Sequence, residues 1–566
     1  MFDPRLRPKA LSIAVAALLL CPAAISGCGG DGGGESAVSG PAEWMPADSV
    51  VYIEAVIRPE GDVADRVDRI ATKLTGESLS DSLDRALAES SDDSEVDFKT
   101  DVEPWLGESA ALAVAADLSN YSAEDAFSVV PASVPASGSL DVSGSGTNDS
   151  AEQVSVVVET TDPDATRSFI EKSAAGQSGD PTQGEYEGVE YTVGGDGDSV
   201  LGVSDDQLIA ASSVARFEAM IDAHDGDSLA DTEAFSDVAD KAADGSVANL
   251  FATSAPVTAA VADSGTTDDS GSGGDSGDQG GSGMDSLYEA LGVDPENTGV
   301  LMSLVPGDDE ISIKGVSNAG DEFVNGDPGP LIETFPADAV FATGSADVGT
   351  NLRKVIDAVD EQGIEGLVKP GELQGMIDEF SGSGVDLNAL IDSLETAGMF
   401  VSGQSVDSLG GALVVTSSDL KPLENSLALI SSLIGQSGDA QVRPLGGNVT
   451  GFSARTPELP GRPVVVAIKG DRFVIAIGTR QARQALGGGG ATLAGSDAYQ
   501  AAVGSLSGEQ IDLFVDPPGI GKLIRDAADG QPEAKEAADV MDKFEYVGAG
   551  GGDGDGTFEL NLGLGN

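Results

Sequence analysis

The chain is nearly without cysteine and histidine. It holds two cysteines, Cys21 and Cys28, and one histidine, His224, in 566 residues. Both cysteines lie near the amino terminus, so the body that follows can form no disulfide, thiolate zinc site or cysteine nucleophile. A lone histidine likewise excludes every multi-histidine metal centre. Aromatic residues are 5% of the chain, with two tryptophans, Trp44 and Trp105, which leaves few platforms for stacking sugars. Basic residues are scarce as well: Lys and Arg number 29 against 96 Asp and Glu, a net charge of -67. Such a surface repels nucleic acid and anionic headgroups, because both are polyanions. It excludes nucleic-acid binding and suits solubility and salt tolerance outside the cell. A hydrophobic content of 40% still suffices for packed cores, and the length allows one to four domains.

What the chain does have begins at its start. Arg5, Arg7 and Lys9 flank an apolar run from Ala10 to Leu20, and Ile25-Ser26-Gly27-Cys28 follows. A basic region, a short apolar region and small residues before a cut site make a secretory signal peptide over residues 1–27. The run is too short to span a bilayer permanently. Ile-Ser-Gly-Cys resembles a bacterial lipobox, in which the cysteine is lipidated and becomes the first residue of the mature protein. Cys28 is therefore the expected lipidation site, and residues 28–43 the glycine-rich tether. The leader has no Arg-Arg pair, which favours general secretory export over the twin-arginine route. The expected address is the extracytoplasmic face of the cell membrane, held there by a lipid anchor.

Beyond the tether the chain repeats itself. Two stretches, 44–318 and 332–566, carry the same landmarks in the same order around an expected linker at 319–331. Pro46-Ala47-Asp48-Ser49-Val50-Val51-Tyr52 returns as Pro336-Ala337-Asp338-Ala339-Val340-Phe341. Ser155 to Thr160 returns as Ala412 to Ser417. Leu229-Ala230-Asp231-Thr232-Glu233-Ala234-Phe235 returns as Leu493-Ala494-Gly495-Ser496-Asp497-Ala498-Tyr499. After that box, Ala248 to Ala252 parallels Ile511 to Val515. The order predicts a tandem duplication, with Phe235 and Tyr499 in equivalent buried positions.

Within each repeat the pattern alternates between strand and helix. Val50 to Val56 reads as a strand, and Val63, Val67, Ile70 and Leu74 recur at helical spacing. Ala110 to Ala115 and Val154 to Thr160 read as further strands. Asp162-Pro163 supplies an N-cap and a first-turn proline for a helix that buries Phe169 and Ile170. Ser418 and Pro422 open the corresponding helix in the second half. Gly188 to Val193 and Ser199 to Ala211 predict a hairpin with glycine-aspartate turns, after which Ser213 and Thr479 cap short helices. Strands arrive in adjacent pairs between helices, so the class is α+β: one α+β unit in tandem, with largely antiparallel sheets and helices packed on them. Residues 119–150 and 263–283 are rich in Ser, Gly, Asp and Pro and predict mobile insertions in the first repeat.

These motifs carry a resemblance. The Pro-Ala-Asp opening after a lipoprotein-type leader, with the Leu-Ala-x-[Thr/Ser]-[Glu/Asp]-Ala-[Phe/Tyr] box and its Leu-Phe strand, resembles the domain of unknown function 3352 (DUF3352) family of exported bacterial proteins. The resemblance implies an envelope-facing protein of unassigned activity and supplies no catalytic residue.

The residues themselves offer little chemistry. No Gly-x-Ser-x-Gly elbow is present, and His224 sits in the acidic run Asp222-Ala223-His224-Asp225-Gly226-Asp227, expected to be solvated. Pro518-Gly519-Ile520-Gly521-Lys522 lacks the earlier glycine and the Ser/Thr of a phosphate loop, and predicts a turn into a helix. Asp196-Gly197-Asp198, Asp225-Gly226-Asp227 and Asp553-Gly554-Asp555 are fragments of carboxylate loops, none of which continues to a full calcium ligand set. Trp44 and Trp105 are expected to pack as core or anchor residues. No catalytic, cofactor-binding or metal-binding residue is assigned, no cofactor is expected, and cation binding should be diffuse. The expectation is a non-catalytic, membrane-anchored lipoprotein whose partner is an apolar ligand or an envelope protein. The alternative is a carboxylate-dependent hydrolase of the cell envelope.

Overall fold

The computed structural model of the chain describes residues 40–78, 98–115, 153–176, 179–195, 197, 199–253, 297–319, 326–363, 368–381, 386–437, 441–455, 461–508, 510–528, 531–551 and 556–565. Cys28, the signal segment, the two predicted insertions and Asp196, Asp198, Asp553 and Asp555 lie outside the described residues.

Period-two alternation of apolar residues builds ten strands in each of two compact units that meet in sequence after Ala319. The first unit contains β1 (Val51–Val56), β2 (Leu106–Ala115), β3 (Gln153–Thr160), β4 (Thr182–Tyr186), β5 (Val189–Val193), β6 (Val200–Ser204), β7 (Gln207–Ala211), β8 (Ala248–Thr253), β9 (Gly299–Pro306) and β10 (Glu310–Ser317). Its pairings give the order β4-β5-β6-β7-β3-β2-β1-β8-β9-β10, antiparallel at every step.

The second unit contains β11 (Ala339–Ser345), β12 (Leu394–Ser402), β13 (Gly410–Ser417), β14 (Gln441–Pro444), β15 (Thr450–Arg455), β16 (Val464–Lys469), β17 (Arg472–Ile477), β18 (Leu513–Val515), β19 (Phe544–Gly551) and β20 (Thr557–Leu564). Their order is β14-β15-β16-β17-β13-β12-β11-β18-β19-β20, again antiparallel throughout. The strands of the second unit thus repeat the order of those in the first. The class is α+β, with largely antiparallel sheets.

In each unit the main core lies on one face of the sheet. Tyr52, Ala113, Val157, Ile209 and Phe251 pack there with Phe217 and Met220 of the helix Val214–Asp225 and with Phe235 of the helix Glu233–Ala239. Ala342, Phe400, Val414, Val474 and Phe514 pack with Ala482 and Ala485 of the helix Thr479–Ala485 and with Tyr499 of the helix Asp497–Ser505. The side chains are not copied position by position. Tyr52 pairs with Ala113 and Phe251, whereas Ala342 pairs with Phe400 and Phe514. The large ring has moved to the adjacent strand, and the volume of the layer is kept.

Several local expectations are met by identifiable bonds. Asp162 Oδ1 accepts from the Ala165 amide at 3.1 Å, capping the helix Pro163–Gly176. Val67 and Ile70 are buried in the helix Gly61–Thr75, and Ser213 Oγ accepts from the Arg216 amide at 3.2 Å. Others need correction. Thr479 is the first residue of its helix rather than the cap, and Gly478 at φ 104° precedes it. The stretch from Ser199 to Ala211 holds two strands, turned at Asp205 with φ 49°, so the expected hairpin is a meander. The tether's end at Pro41–Trp44 is a short 3-10 helix with Ala42 and Trp44 buried. The expected linker ends in a helical turn, Gly329–Ile332, whose Leu331 belongs to the second core.

Candidate functional site

The two motifs that repeat along the sequence touch each other in both units. Pro46 forms a β-bridge with Ser228, and Pro336 forms one with Thr492. The amide of Leu229 donates to the Met45 carbonyl at 2.7 Å, and that of Leu493 to the Phe335 carbonyl at 2.9 Å. The Pro-Ala-Asp opening therefore seats the Leu-Ala box beside the first strand of its sheet. In the first unit Ser228 and Asp231 close a reciprocal cap, and the Ser228 bonds hold the Asp231 carboxyl below the usual carboxylate range. The aromatic that ends each box turns inward. Phe235 meets Tyr52 and Phe251 edge-on at 5.5 and 5.0 Å, and Tyr499 meets Phe514 edge-on at 5.4 Å. These motifs organise the core.

The aspartate of each opening meets an arginine. Arg216, fully buried, donates from Nε to Ser155 Oγ at 2.7 Å and from its terminal nitrogens to Asp48 Oδ1 at 2.7 Å and Ser49 Oγ at 2.9 Å. Arg480 donates to Asp338 Oδ2 at 2.6 Å, with 46% of its side chain exposed. The sheet registers align Arg216 with Gln481, whose amide donates to the Ser402 and Ser408 carbonyls. Sequence reading missed Arg216, because an arginine that shares its helix with Glu218 and Asp222 gives no sign of partners on distant segments.

Three groups in or near these motifs have raised pKa values. Glu54, on β1, is pushed up to about 7 by burial. Burial, with the carboxylates of Glu333 and Asp327, raises the Tyr499 hydroxyl, which lies buried without a hydrogen-bond partner among the described residues. Burial and Asp327 also raise Asp512.

His224 is not simply solvated: its ring stacks on Trp44 at 3.6 Å and 7°, and Nε2 lies 3.9 Å from Asp205 Oδ2. Trp105 is buried against Phe169 and donates from Nε1 to the Asp101 carbonyl at 2.6 Å. Pro518 to Lys522 lies inside the helix Pro517–Ala527, capped by Asp516 through the Gly519 amide at 3.0 Å. Gly521 faces the helix Pro532–Met541, where a Cβ would meet the Ala538 carbonyl at 3.0 Å. That glycine serves helix packing rather than a phosphate. Among the described residues, no group of three or more His, Cys, Asp or Glu could hold a metal ion.

The feature least explained by stability lies on the opposite face of the second sheet. Met399, Leu413 and Ile475 stand side by side on β12, β13 and β17, and each is 38–42% exposed, as is Ile477. Their counterparts in the first sheet are Leu112, Val156 and Ala210. There the helix Pro163–Gly176 sets Phe169 and Ile170 against this face, and Val156 and Ala210 are buried. In the second unit the helix Lys421–Ser437 packs further out, over Phe452, Ala454 and Ile468. One row is roofed and its equivalent is open. Sequence reading could not find this, because both rows have the same apolar alternation and only helix placement separates them.

An α+β protein of antiparallel sheets, with its repeated motifs spent on core construction and one apolar sheet row exposed, is the class these features define. Residues 13–538 match the family described as "Protein of unknown function (DUF3352)", and the chain belongs to that family. No curated protein matches the chain. Two crystal forms of TP0453 are similar at 9% identity. Form III covers 79% of this chain and 98% of that one with a TM-score of 0.18, and form I covers 80% and 98% with a TM-score of 0.17. Scores so low carry no argument about fold or function. Among the described residues, no helix is long and apolar enough to cross a membrane.

Proposed function

We propose that the protein is a non-catalytic lipoprotein, anchored through Cys28 on the extracytoplasmic face of the membrane, that binds an apolar ligand on the open face of its second sheet. The exposed row of Met399, Leu413 and Ile475 carries this reading. Exposed apolar side chains set contiguously on a sheet mark binding surfaces more often than scattered ones do. The row bears no charge, so an uncharged acyl chain suits it and a polar substrate does not. Two positions favour binding over hydrolysis. Glu54 is buried away from any substrate, and His224 is occupied by Trp44.

Native mass spectrometry of protein extracted from membranes tests the ligand. The wild type should carry a lipid adduct that Leu413→Glu loses while keeping its fold, since a half-exposed position tolerates charge. An adduct of equal occupancy in the variant would sink the reading. The anchor is tested separately. Cys28→Ser should move the protein from the membrane fraction to the medium, because two acyl chains give stable attachment where one is reversible. Retention of that variant after a carbonate wash would exclude lipid anchoring.

A further inference from the structure

We propose that Glu54 is held as a neutral acid in the core of the first unit, and that its ionisation, with the proton released to solvent, loosens that unit. The residue is 4% exposed. Its carboxylate oxygen accepts from the Tyr52 hydroxyl at 3.3 Å. Across the sheet it faces Ala111 of β2 on one side and Asn249 of β8 on the other. Asn249 is itself engaged, accepting from Ser303 Oγ of β9 at 2.8 Å. Tyr52 is thus the titratable group facing Glu54, and the groups presented by β2, β8 and β9 are neutral.

The nearest cation along this row is Lys314 of β10, three strands away, or about 14 Å at the spacing of paired strands. The turn that carries Lys241 and Asp244 reaches the row through the Ala243 amide, which donates to Ser303 Oγ at 3.2 Å. Neither charge is among the groups that shift Glu54. A carboxyl buried without a counter-charge keeps its proton, because the ionised form would lose its hydration uncompensated.

Two other positions sharpen the contrast. Glu559 of β20 is equally buried, yet it accepts from the Ser507 amide at 2.8 Å and the Ser507 hydroxyl at 2.6 Å. Among the described residues, Glu54 has no such donors beyond the Tyr52 hydroxyl. The position in the second unit that corresponds to Glu54 is Gly344, which the register pairs with Gly398. The device therefore belongs to the first unit.

The sign follows from where the proton binds more tightly. Burial raises the Glu54 pKa from 4.5 to about 7, opposed in part by the Tyr52 bond. The folded state then holds the proton more tightly than the unfolded chain. This contribution to stability is complete below about pH 4.5 and disappears as pH rises through about 7. The difference bounds the effect at about 300-fold in the unfolding equilibrium.

The test follows the full-length chain by tryptophan emission, because both tryptophans, Trp44 and Trp105, lie in the first unit. Urea midpoints are measured from pH 5 to pH 9 for the wild type, Glu54→Gln and Tyr52→Phe. The wild type should lose stability relative to Glu54→Gln as pH rises through neutrality. Tyr52→Phe should carry its loss to higher pH, since the bond it removes favours the ionised form. Infrared difference spectra should show a protonated-carboxyl stretch that titrates near neutrality in the wild type and is missing from Glu54→Gln. Parallel midpoint profiles for the wild type and Glu54→Gln would overturn the proposal. So would a wild-type protein without that infrared band, an outcome readable even if the variant fails to fold.

Discussion

Asp48→Ala should lower the stability of the first unit by about 3 kcal/mol, whereas Asp338→Ala should lower that of the second by less than about 1 kcal/mol. The two aspartates occupy the same place in the same motif, and each pairs with an arginine. Burial separates them. The Arg216 side chain is 1% exposed, so removing Asp48 leaves a guanidinium in the core with hydroxyl partners and, among the described residues, no counter-charge. Breaking a buried pair costs about 3–5 kcal/mol, and the low end applies because the Asp48 side chain is itself 63% exposed. Arg480 reaches Asp338 from a half-exposed position, and water replaces the lost carboxylate there. Chemical denaturation followed by tryptophan emission reads the first unit, and hydrogen exchange reads the second. Equal losses in the two variants would show that burial of the arginine does not set the cost.

The second large effect concerns the aromatic that ends each Leu-Ala box. Phe235→Ala and Tyr499→Ala should each cost about 3–5 kcal/mol, the range for deleting a large ring from a packed core. Phe235 is 1% and Tyr499 0% exposed, and each packs edge-on against the phenylalanine of the next strand element, Phe251 or Phe514. The conservative change separates the two sites. Tyr499→Phe should raise stability by about 1 kcal/mol, because the native hydroxyl is buried without a partner among the described residues and pays a desolvation cost that phenylalanine avoids. Calorimetry of the three variants checks the set. A destabilised Tyr499→Phe would mean that the hydroxyl has a partner in solution.

The legible parts of this fold were those with a short-range signature. Asp162-Pro163 announced a helix start because a cap and a first-turn proline act within one turn. The Leu-Ala boxes announced equivalent elements because cap, acid and aromatic keep fixed helical spacing. The bridges from Pro46 to Ser228 and from Pro336 to Thr492 were not legible, since each joins segments more than 150 residues apart. The neutral environment of Glu54 depends on β8 and β9, which are distant in sequence from β1. The open row of the second sheet depends on where one helix comes to rest. His224 looked solvated because its sequence neighbours are acidic, yet its ring contact comes from Trp44, far earlier in the chain.

The exchanged sizes of Tyr52 and Ala342 have a consequence for folding. Two units of identical strand order in one polypeptide invite strand exchange during folding, a common route to misassembly in repeated domains. If β1 entered the second sheet in place of β11, Tyr52 would lie beside Phe400, where the native chain has Ala342. Glu54 would fall where Gly344 stands, a position at which even a Cβ meets Pro328 Cβ at 2.9 Å. In the reverse exchange Ala342 would sit beside Ala113, leaving a void where the Tyr52 ring meets Phe235. Each swap produces a collision or a hole. The two units share a strand order and yet are poor substitutes for one another, so that each strand is directed back to its own unit.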